Sequence, residues 1–169
     1  MEIRIVDEAR MPELWKIWIR ALYDHPEAFG PTYEWARDVS PERSQELLRQ
    51  IQAGGGFTLG AFNTDIPIGM LNFSRLQGEK FHHKGYIGAV YVVPEQRRNK
   101  VAKAMMDTTL EHARAITDLA VVGLSVNNEN TSAIKLYESC GFKGYGVEPK
   151  GLRVNGRDYD LLHMTKQIR

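Results

Sequence analysis

Apolar and polar positions alternate along this chain in two patterns, and together these patterns predict a succession of strands and helices. Short apolar or alternating stretches rich in β-branched residues predict strands, whereas apolar residues three or four apart predict helices. The predicted strands are Glu2–Val6, Phe57–Phe62, Ile66–Ser74, Tyr86–Val93, Leu119–Val126, Phe142–Val147 and Asp158–Thr165. The predicted helices are Met11–Tyr23, Pro41–Ile51, Arg98–Ala115 and a short one that is capped by Asn130 or Thr131 and ends at Cys140.

The order of these elements, β-α-α-β-β-β-α-β-α-β-β, predicts an α/β protein with one mixed sheet of about seven strands and helices on both faces. A helix separates the strand at Tyr86 from the strand at Leu119, so these two strands should be parallel with a right-handed crossover. Asn155 and Gly156 predict a tight turn that makes the last two strands an antiparallel pair. The nearly continuous apolar character of Tyr86–Val93 favours a central position.

Length and composition narrow the class of protein further. The 169 residues, 43% of them hydrophobic and 25% charged, fit a single globular domain over residues 1–169. A net charge of only +1 argues against a nucleic-acid partner, which needs a broad basic surface. Cys140 is the only cysteine, so a reducing cytoplasm is the simplest location. No stretch has the length of a membrane span or of a signal peptide, and we expect no membrane partner.

A basic turn follows the strand at Tyr86 and precedes the helix that contains Met105. Its cations are Arg97, Arg98, Lys100 and Lys103. A helix start presents free backbone N–H groups and a partial positive charge, which together suit a phosphate group. The alternative is an ordinary solvated basic face on an amphipathic helix, and this stretch alone leaves both interpretations open.

Two segments together resemble a known family. Val92–Ala102 reads VVPEQRRNKVA, and Leu124–Phe142 reads LSVNNENTSAIKLYESCGF. They are similar to the two signature motifs of the GNAT superfamily of N-acetyltransferases, and they lie at the separation expected there. The second segment is the more specific of the two, and the element order agrees with the GNAT fold over nearly the whole chain.

This resemblance implies an acetyltransferase that uses acetyl-CoA as co-substrate. The acceptor would be a primary amine of a small molecule or peptide, attacking the thioester directly in a ternary complex. The pyrophosphate would lie on the basic turn, and the pantetheine arm would extend the sheet beside Val90, in the gap between the strands at Tyr86 and Leu119. The residues implied in cofactor binding are Val90, Tyr91, Val92, Arg97, Arg98, Asn99, Lys100, Val101, Ala102, Lys103 and Asn130.

Tyr137 is the catalytic residue that the resemblance implies. It lies seven residues after Asn130, two helical turns or roughly 10 Å along the same face. A phenol, with an ordinary pKa of about 10, is protonated at neutral pH and can give its proton to the departing thiolate. The alternative role for Tyr137 is simple packing beside Ala133 and Leu136.

Lys100 departs from the family pattern, Arg/Gln-x-x-Gly-x-Gly/Ala, by replacing its first glycine, whereas Ala102 is an allowed residue. We expect Lys100 to have an early helical conformation and to point outward, where its ammonium would add a phosphate contact. Alternatively, Lys100 weakens cofactor binding or indicates another acyl donor. It is therefore the one feature that supports a second function, a non-catalytic acyl-CoA-binding or sensor domain.

The acceptor side is less defined by the sequence. Candidate substrate residues are Tyr33 and Glu34, in a proline-rich loop that often walls the acceptor pocket in this family, and His82. A base acting through water is an alternative to all three. No metal-binding motif is present, so we predict no metal site. A homodimer is an open alternative to a monomer.

Overall fold

A seven-stranded mixed sheet forms the centre of the computed structural model, which describes residues 1–169. Its strands are β1 (Glu2–Ile5), β2 (Phe57–Asn63), β3 (Ile66–Arg75), β4 (Lys84–Val92), β5 (Val121–Asn127), β6 (Lys143–Val154) and β7 (Arg157–Gln167). Its helices are α1 (Met11–Asp24), α2 (Tyr33–Arg37), α3 (Pro41–Ala53), α4 (Val101–Ala115) and α5 (Thr131–Ser139). Single 3₁₀ turns occupy Pro26–Ala28, Glu79–Phe81 and Pro94–Gln96.

The strand order is β1-β2-β3-β4-β5-β7-β6, and every neighbouring pair is antiparallel except β4 and β5. The predicted parallel pair and the central position of β4 are therefore confirmed. The sequence paired the last two strands with each other, which is correct. It did not show that β7 returns to lie between β5 and β6.

Helices cover both faces of the sheet, as predicted, and the two faces hold different side chains. Asn72 and Ser74 of β3 face α1, since they share a cavity with Trp15 and Trp18. We call this side the α1 face. The opposite side is the α4 face, where a side chain at Gly69 would meet Met105 of α4.

Register extends this assignment across the sheet, because residues directly opposite each other on paired strands share a face. Ser74 pairs with Tyr86, Tyr86 with Gly123, and Ser125 with His163, so all of them lie on the α1 face. The helix α5 lies on the α4 face. Lys166, the register partner of Val122, donates from Nζ to the backbone oxygen of Cys140 at the end of α5, over 2.6 Å.

Local sequence signals explain where the helices begin and end. Ser40 caps α3 by accepting a hydrogen bond from the backbone N–H of Arg43 over 3.2 Å. Asn130, and not Thr131, caps α5 by accepting from the N–H of Ala133 over 3.1 Å. Gly141 follows that helix with a φ of +85°, the left-handed conformation that suits a glycine at this position.

The predicted and observed elements differ most in three places. The helix α4 begins at Val101 rather than Arg98, because Arg98 and Lys100 have left-handed φ values of 66° and 59°. The five-residue helix α2, capped by Thr32, was not predicted. The strands β6 and β7 extend well beyond Val147 and Thr165. None of the helices combines the length and apolar character needed to span a bilayer.

Candidate active site

A gap opens in the sheet between β4 and β5. The two strands pair only from Lys84 to Tyr86, although β4 continues to Val92 and β5 to Asn127. Ala89 has a φ of +53°, and the register with β3 shifts beside it, between Met70 and Asn72. This bulge bends β4 away from β5. The second half of β4 therefore presents a strand edge that no other strand of the protein pairs with.

A cleft of about 1050 Å³ runs along this gap. The sequence-predicted site residues that line it are Val90, Tyr91, Val92, Arg97, Ala102, Asn130 and Tyr137. The predicted site residues that do not line it are Arg98, Asn99, Lys100, Val101, Lys103, Tyr33, Glu34 and His82. The structure thus gathers the predicted pantetheine residues, one end of the basic turn and the predicted acid around one cavity.

The groups of the basic turn that are free to bind a ligand are mainly backbone N–H groups. No backbone N–H from Arg98 to Lys103 donates to an acceptor within the protein. The first turn of α4 contains no acidic residue. Arg98 and Lys100 are left-handed, and a left-handed residue beside helical ones gives a backbone geometry that suits an anion-binding concavity. The dipole of the 15-residue helix α4 adds to this attraction.

Lys100 corrects the expectation of an early helical conformation. Its φ of 59° and ψ of 15° are left-handed, a conformation that glycine adopts at little cost and other residues do not. The position therefore has the backbone geometry that explains the family's glycine, even though the residue here is lysine. Its side chain makes no ion pair, and it lies exposed at the turn.

The other side chains of the turn differ in how freely they could contact a ligand. Arg97 is held inward, because its Nε donates to the backbone oxygen of Val92 over 3.2 Å and its Nη2 lies 2.8 Å from His25 Nε2. Lys103 pairs with Asp107 one turn further along α4. The side chain of Val101 is buried in the core, so only its backbone can face a ligand.

Tyr137 enters the cleft from the α4 face. Its side chain is only 7% exposed, and its hydroxyl makes no hydrogen bond within the protein. Burial raises the pKa of the Tyr137 phenol well above its usual value, and nearby Cys140 raises it further. The phenol is therefore firmly protonated at neutral pH, as a proton donor must be.

Asn130 lines the same cleft, but its side-chain oxygen is already engaged. It accepts hydrogen bonds from the N–H of Ala133 and from the hydroxyl of Ser132. Only the amide nitrogen is left for a ligand, so contact between Asn130 and the cofactor stays a prediction. The established role of Asn130 is to start α5 and thereby to place Tyr137.

A chain of hydrogen bonds on the α1 face was not predicted from the sequence. Ser125 Oγ lies 2.7 Å from His163 Nδ1, and His163 Nε2 lies 2.8 Å from Glu148 Oε2. All three side chains line the cleft. The residues come from β5, β7 and β6, so only the strand order and register bring them together.

The three predicted substrate residues lie elsewhere. Tyr33 packs edge-on against Tyr23 with ring centroids 5.3 Å apart, and Glu34 is exposed on α2. His82 is exposed before β4, at the end of the strand where β4 and β5 are paired. From the proline-rich loop, the cleft is lined instead by Phe29, Gly30 and Pro31. Nothing in the geometry connects Tyr33, Glu34 or His82 to Tyr137.

Comparisons with known proteins agree with this geometry. The chain is 37% identical over 92 residues to the N-terminal acetyltransferase B complex catalytic subunit NAA20 of Arabidopsis thaliana, covering 54% of this chain and 50% of that protein. It is 30% identical over 152 residues to the mycothiol acetyltransferase of Thermobispora bispora, covering 88% of this chain and 48% of the relative. The chain thus spans about half the length of these curated relatives.

A solved structure supports the fold. The yncA protein of Salmonella typhimurium, solved with its cofactor acetyl-CoA, superimposes with a TM-score of 0.88 at 22% identity, covering 100% of this chain and 94% of that one. The model of the acetyltransferase (GNAT) family matches residues 12–142, which include the β4 strand, the basic turn and Tyr137. With most of its length matched in this way, the chain belongs to the acetyltransferase (GNAT) family.

Proposed function

We propose that this protein transfers an acetyl group from acetyl-CoA to a primary amine of a small molecule or peptide. The observation that carries the proposal is the combination of the unpaired β4 edge with the free N–H groups at the start of α4. A CoA thioester has a pyrophosphate at one end and an arm with two amides. The turn suits the first, and an open strand edge suits the second by strand addition. The residues present therefore fit this substrate.

The reaction is a direct attack in a ternary complex. The amine nitrogen bonds to the thioester carbonyl carbon and loses a proton to a base or to water, the carbon–sulfur bond breaks, and the sulfur leaves as a thiolate. Tyr137 gives its phenolic proton to that sulfur. Because burial raises the pKa of Tyr137, the phenol stays in its donating form throughout the neutral pH range. We therefore expect no loss of rate below pH 10 from ionisation of Tyr137.

The relatives support an amine acceptor without identifying it. One similar protein is the catalytic subunit of an N-terminal acetyltransferase, and another is a mycothiol acetyltransferase. A third, from Vibrio cholerae, is a spermidine N(1)-acetyltransferase that is 29% identical over 82 residues. These acceptors differ in size and charge, so the acceptor of this chain has to be argued from its own cleft.

The test has two stages on the purified chain. Calorimetric titration with acetyl-CoA is expected to give binding in the micromolar range. An amine panel, followed by the release of free CoA thiol, is then expected to identify an acceptor. Tyr137→Phe should bind acetyl-CoA as the parent does, while kcat falls about 100-fold, the usual size of a lost proton transfer.

The outcomes separate the two candidate functions. Binding with no CoA release over the whole amine panel would favour a non-catalytic acyl-CoA-binding domain. A folded protein with no detectable binding would overturn the acetyl-CoA proposal. Retention of full kcat by Tyr137→Phe would remove the proton-donor role from that residue.

A further inference from the structure

The hydrogen-bonded chain on the α1 face has a defined direction. The carboxylate of Glu148 can only accept, so neutral His163 donates from Nε2 and keeps Nδ1 as an acceptor. Ser125 then donates its hydroxyl proton to His163 Nδ1 over 2.7 Å. The second bond, from His163 Nε2 to Glu148 Oε2, is 2.8 Å. A proton received by Ser125 therefore has a continuous path to the imidazole.

The position of this chain complements that of Tyr137. Ser125 and His163 lie on the α1 face, whereas Tyr137 belongs to α5 on the α4 face. The gap between β4 and β5 connects the two faces beyond Tyr86. A thioester held in the gap would therefore have a proton donor on one side and a proton acceptor on the other. This arrangement suits direct attack of an amine, since the nitrogen loses a proton and the sulfur gains one.

We propose that Ser125, His163 and Glu148 remove the proton from the acceptor amine. The inference rests on the proposed function. As the C–N bond forms, the nitrogen gives a proton to Ser125 Oγ, and Ser125 gives its own proton to His163 Nδ1. The thiolate takes the proton of Tyr137, and the imidazolium later restores it through solvent. Ser125 is the residue that contacts the substrate, and Glu148 is a positioning residue that orients His163 and stabilises its charge.

Other ionisable groups near His163 have to be distinguished from it. Tyr145 of β6 lies with its ring 6.0 Å from the imidazole. Tyr86 and Glu27 also line the cleft, from β4 and from the 3₁₀ turn at Pro26–Ala28. None of these three hydrogen-bonds to His163, and the carboxylate of Glu27 lies 3.5 Å from His25 instead. Glu27→Gln is therefore the matched control for Glu148→Gln, because both remove a carboxylate from the same cleft.

The kinetic test compares four variants with the parent. His163→Gln and Ser125→Ala are expected to lower kcat/KM for an alkylamine about 100-fold. Glu148→Gln should lower kcat/KM about 10-fold, and Glu27→Gln should lower it less than about two-fold. The loss in His163→Gln should shrink for a weakly basic acceptor such as trifluoroethylamine, which needs less help from a base. Acetyl-CoA binding should be unchanged in all four.

A second measurement needs no acceptor, so it separates this proposal from the proposed function. Nitrogen-15 NMR of the full chain should show His163 as the tautomer protonated at Nε2, and Glu148→Gln should change that signal. A tautomer protonated at Nδ1 would overturn the proposal even if no amine had been found. So would a His163→Gln variant that keeps kcat/KM within two-fold of the parent value.

A second cavity beside the cleft indicates which chemical group is attached to the acceptor amine. This cavity has a volume of about 680 Å³ and lies between α1, α2, α3 and β3. It shares Trp18, Pro31, Asn72 and Ser74 with the cleft, so the two spaces adjoin each other on the α1 face. An amine approaching Ser125 from that face would therefore extend the rest of its structure toward this second cavity, which we call the tryptophan pocket.

Three tryptophans, Trp15, Trp18 and Trp35, line the tryptophan pocket, and charge is scarce in it. Trp15 and Trp35 pack edge-on with centroids 5.7 Å apart, and the indole N–H of Trp15 is engaged by the backbone oxygen of Ala36. Trp35 is 47% exposed, so its ring is accessible to a ligand in the pocket. Arg75 is the only charged residue in the lining, and it is paired with Asp118. No carboxylate there could bind a second ammonium group.

We infer that the acceptor is a small amine that carries an aromatic ring, with the ring seated in the tryptophan pocket. This inference also rests on the proposed function. The kcat/KM for phenethylamine should be at least about 10-fold higher than for butylamine or spermidine. The reason is that burial of the aromatic ring in the tryptophan pocket stabilises the complex. Trp35→Ala should remove that preference by raising the KM for phenethylamine about 10-fold, with the KM for butylamine unchanged.

Tyr23→Ala is the matched control, because Tyr23 is an exposed aromatic residue on α1 that lines neither cavity. It should leave both KM values unaltered. Saturation-transfer NMR of phenethylamine with the protein supplies a readout that does not depend on turnover, and Trp35→Ala should abolish the ring signal. Equal kcat/KM for phenethylamine and butylamine, or ring contact that survives Trp35→Ala, would overturn the inference.

Discussion

Lys100 illustrates how one residue can keep a backbone geometry that its side chain does not favour. The left-handed conformation costs a residue with a Cβ roughly 1–2 kcal/mol, and glycine avoids most of that cost. We therefore predict that Lys100→Gly is more stable than Lys100→Ala by about 1 kcal/mol, because both lose the cation and only glycine relieves the strain. Urea unfolding without ligand measures the difference in free energy of unfolding.

Lys135 provides the control for this comparison. It is exposed in the middle of α5, where the backbone is helical. The order should reverse there, with Lys135→Gly less stable than Lys135→Ala by about 1 kcal/mol. If alanine were the more stable residue at both positions, Lys100 would not be strained in the folded protein.

The sequence predicted which residues line the cleft where those residues belong to one short motif. The turn at Arg97 and the phenol of Tyr137 follow from residues a few positions apart, and both line the cleft. The pair Ser125 and His163 is separated by 38 positions, and its members meet only because β5 pairs with β7. No spacing in the sequence encodes that register. For the same reason, Tyr33, Glu34 and His82 were chosen by chemistry alone, and the fold sets them apart from the cleft.

At the scale of elements, the start of α4 should determine the affinity for an anionic substrate. A carboxylate at Ala102, in the first turn, would oppose both the helix dipole and the free N–H groups. We predict that Ala102→Glu weakens acetyl-CoA binding at least about 10-fold by calorimetry. Thr108→Glu adds the same charge to the same helix further from its start, and it should change the affinity less than about two-fold.

The two outcomes at α4 are informative together. Equal losses in Ala102→Glu and Thr108→Glu would point to the net charge of the protein rather than to the helix start. The experiment requires no acceptor, so it tests the phosphate-binding turn separately from catalysis.

Helices with a repeat of two turns or more were predicted well, whereas the five-residue helix α2 and the first turn of α4 were not. The periodicity of α1 and α3 extends over several turns, and their bounds lie within two residues of those predicted. The helix α2 has only five residues, too few for a repeat to be visible. The first turn of α4 was misassigned because the sequence alone does not reveal that Arg98 and Lys100 are left-handed.

At the scale of the whole molecule, the sheet consists of two parts joined by a short paired segment of β4 and β5. The unpaired groups beyond Tyr86 have no partner strand to protect them. We predict that acetyl-CoA slows hydrogen exchange selectively in the second half of β4, from Gly88 to Val92. Amides of β2, which is paired on both sides with β1 and β3, should change little. Uniform protection of both strands would indicate general stabilisation without strand addition.

The gap also determines how two substrates reach each other. It passes through the sheet, so under the proposed function the acetyl donor and the amine would enter from opposite faces, and neither would have to leave before the other arrives. Binding should therefore follow no compulsory order. CoA and the acetylated amine would each leave by the entrance that the corresponding substrate used. An inhibitor that blocks one entrance would leave the other accessible. The interrupted pairing of β4 and β5 would thus allow two solutes to meet inside the sheet without sharing a path.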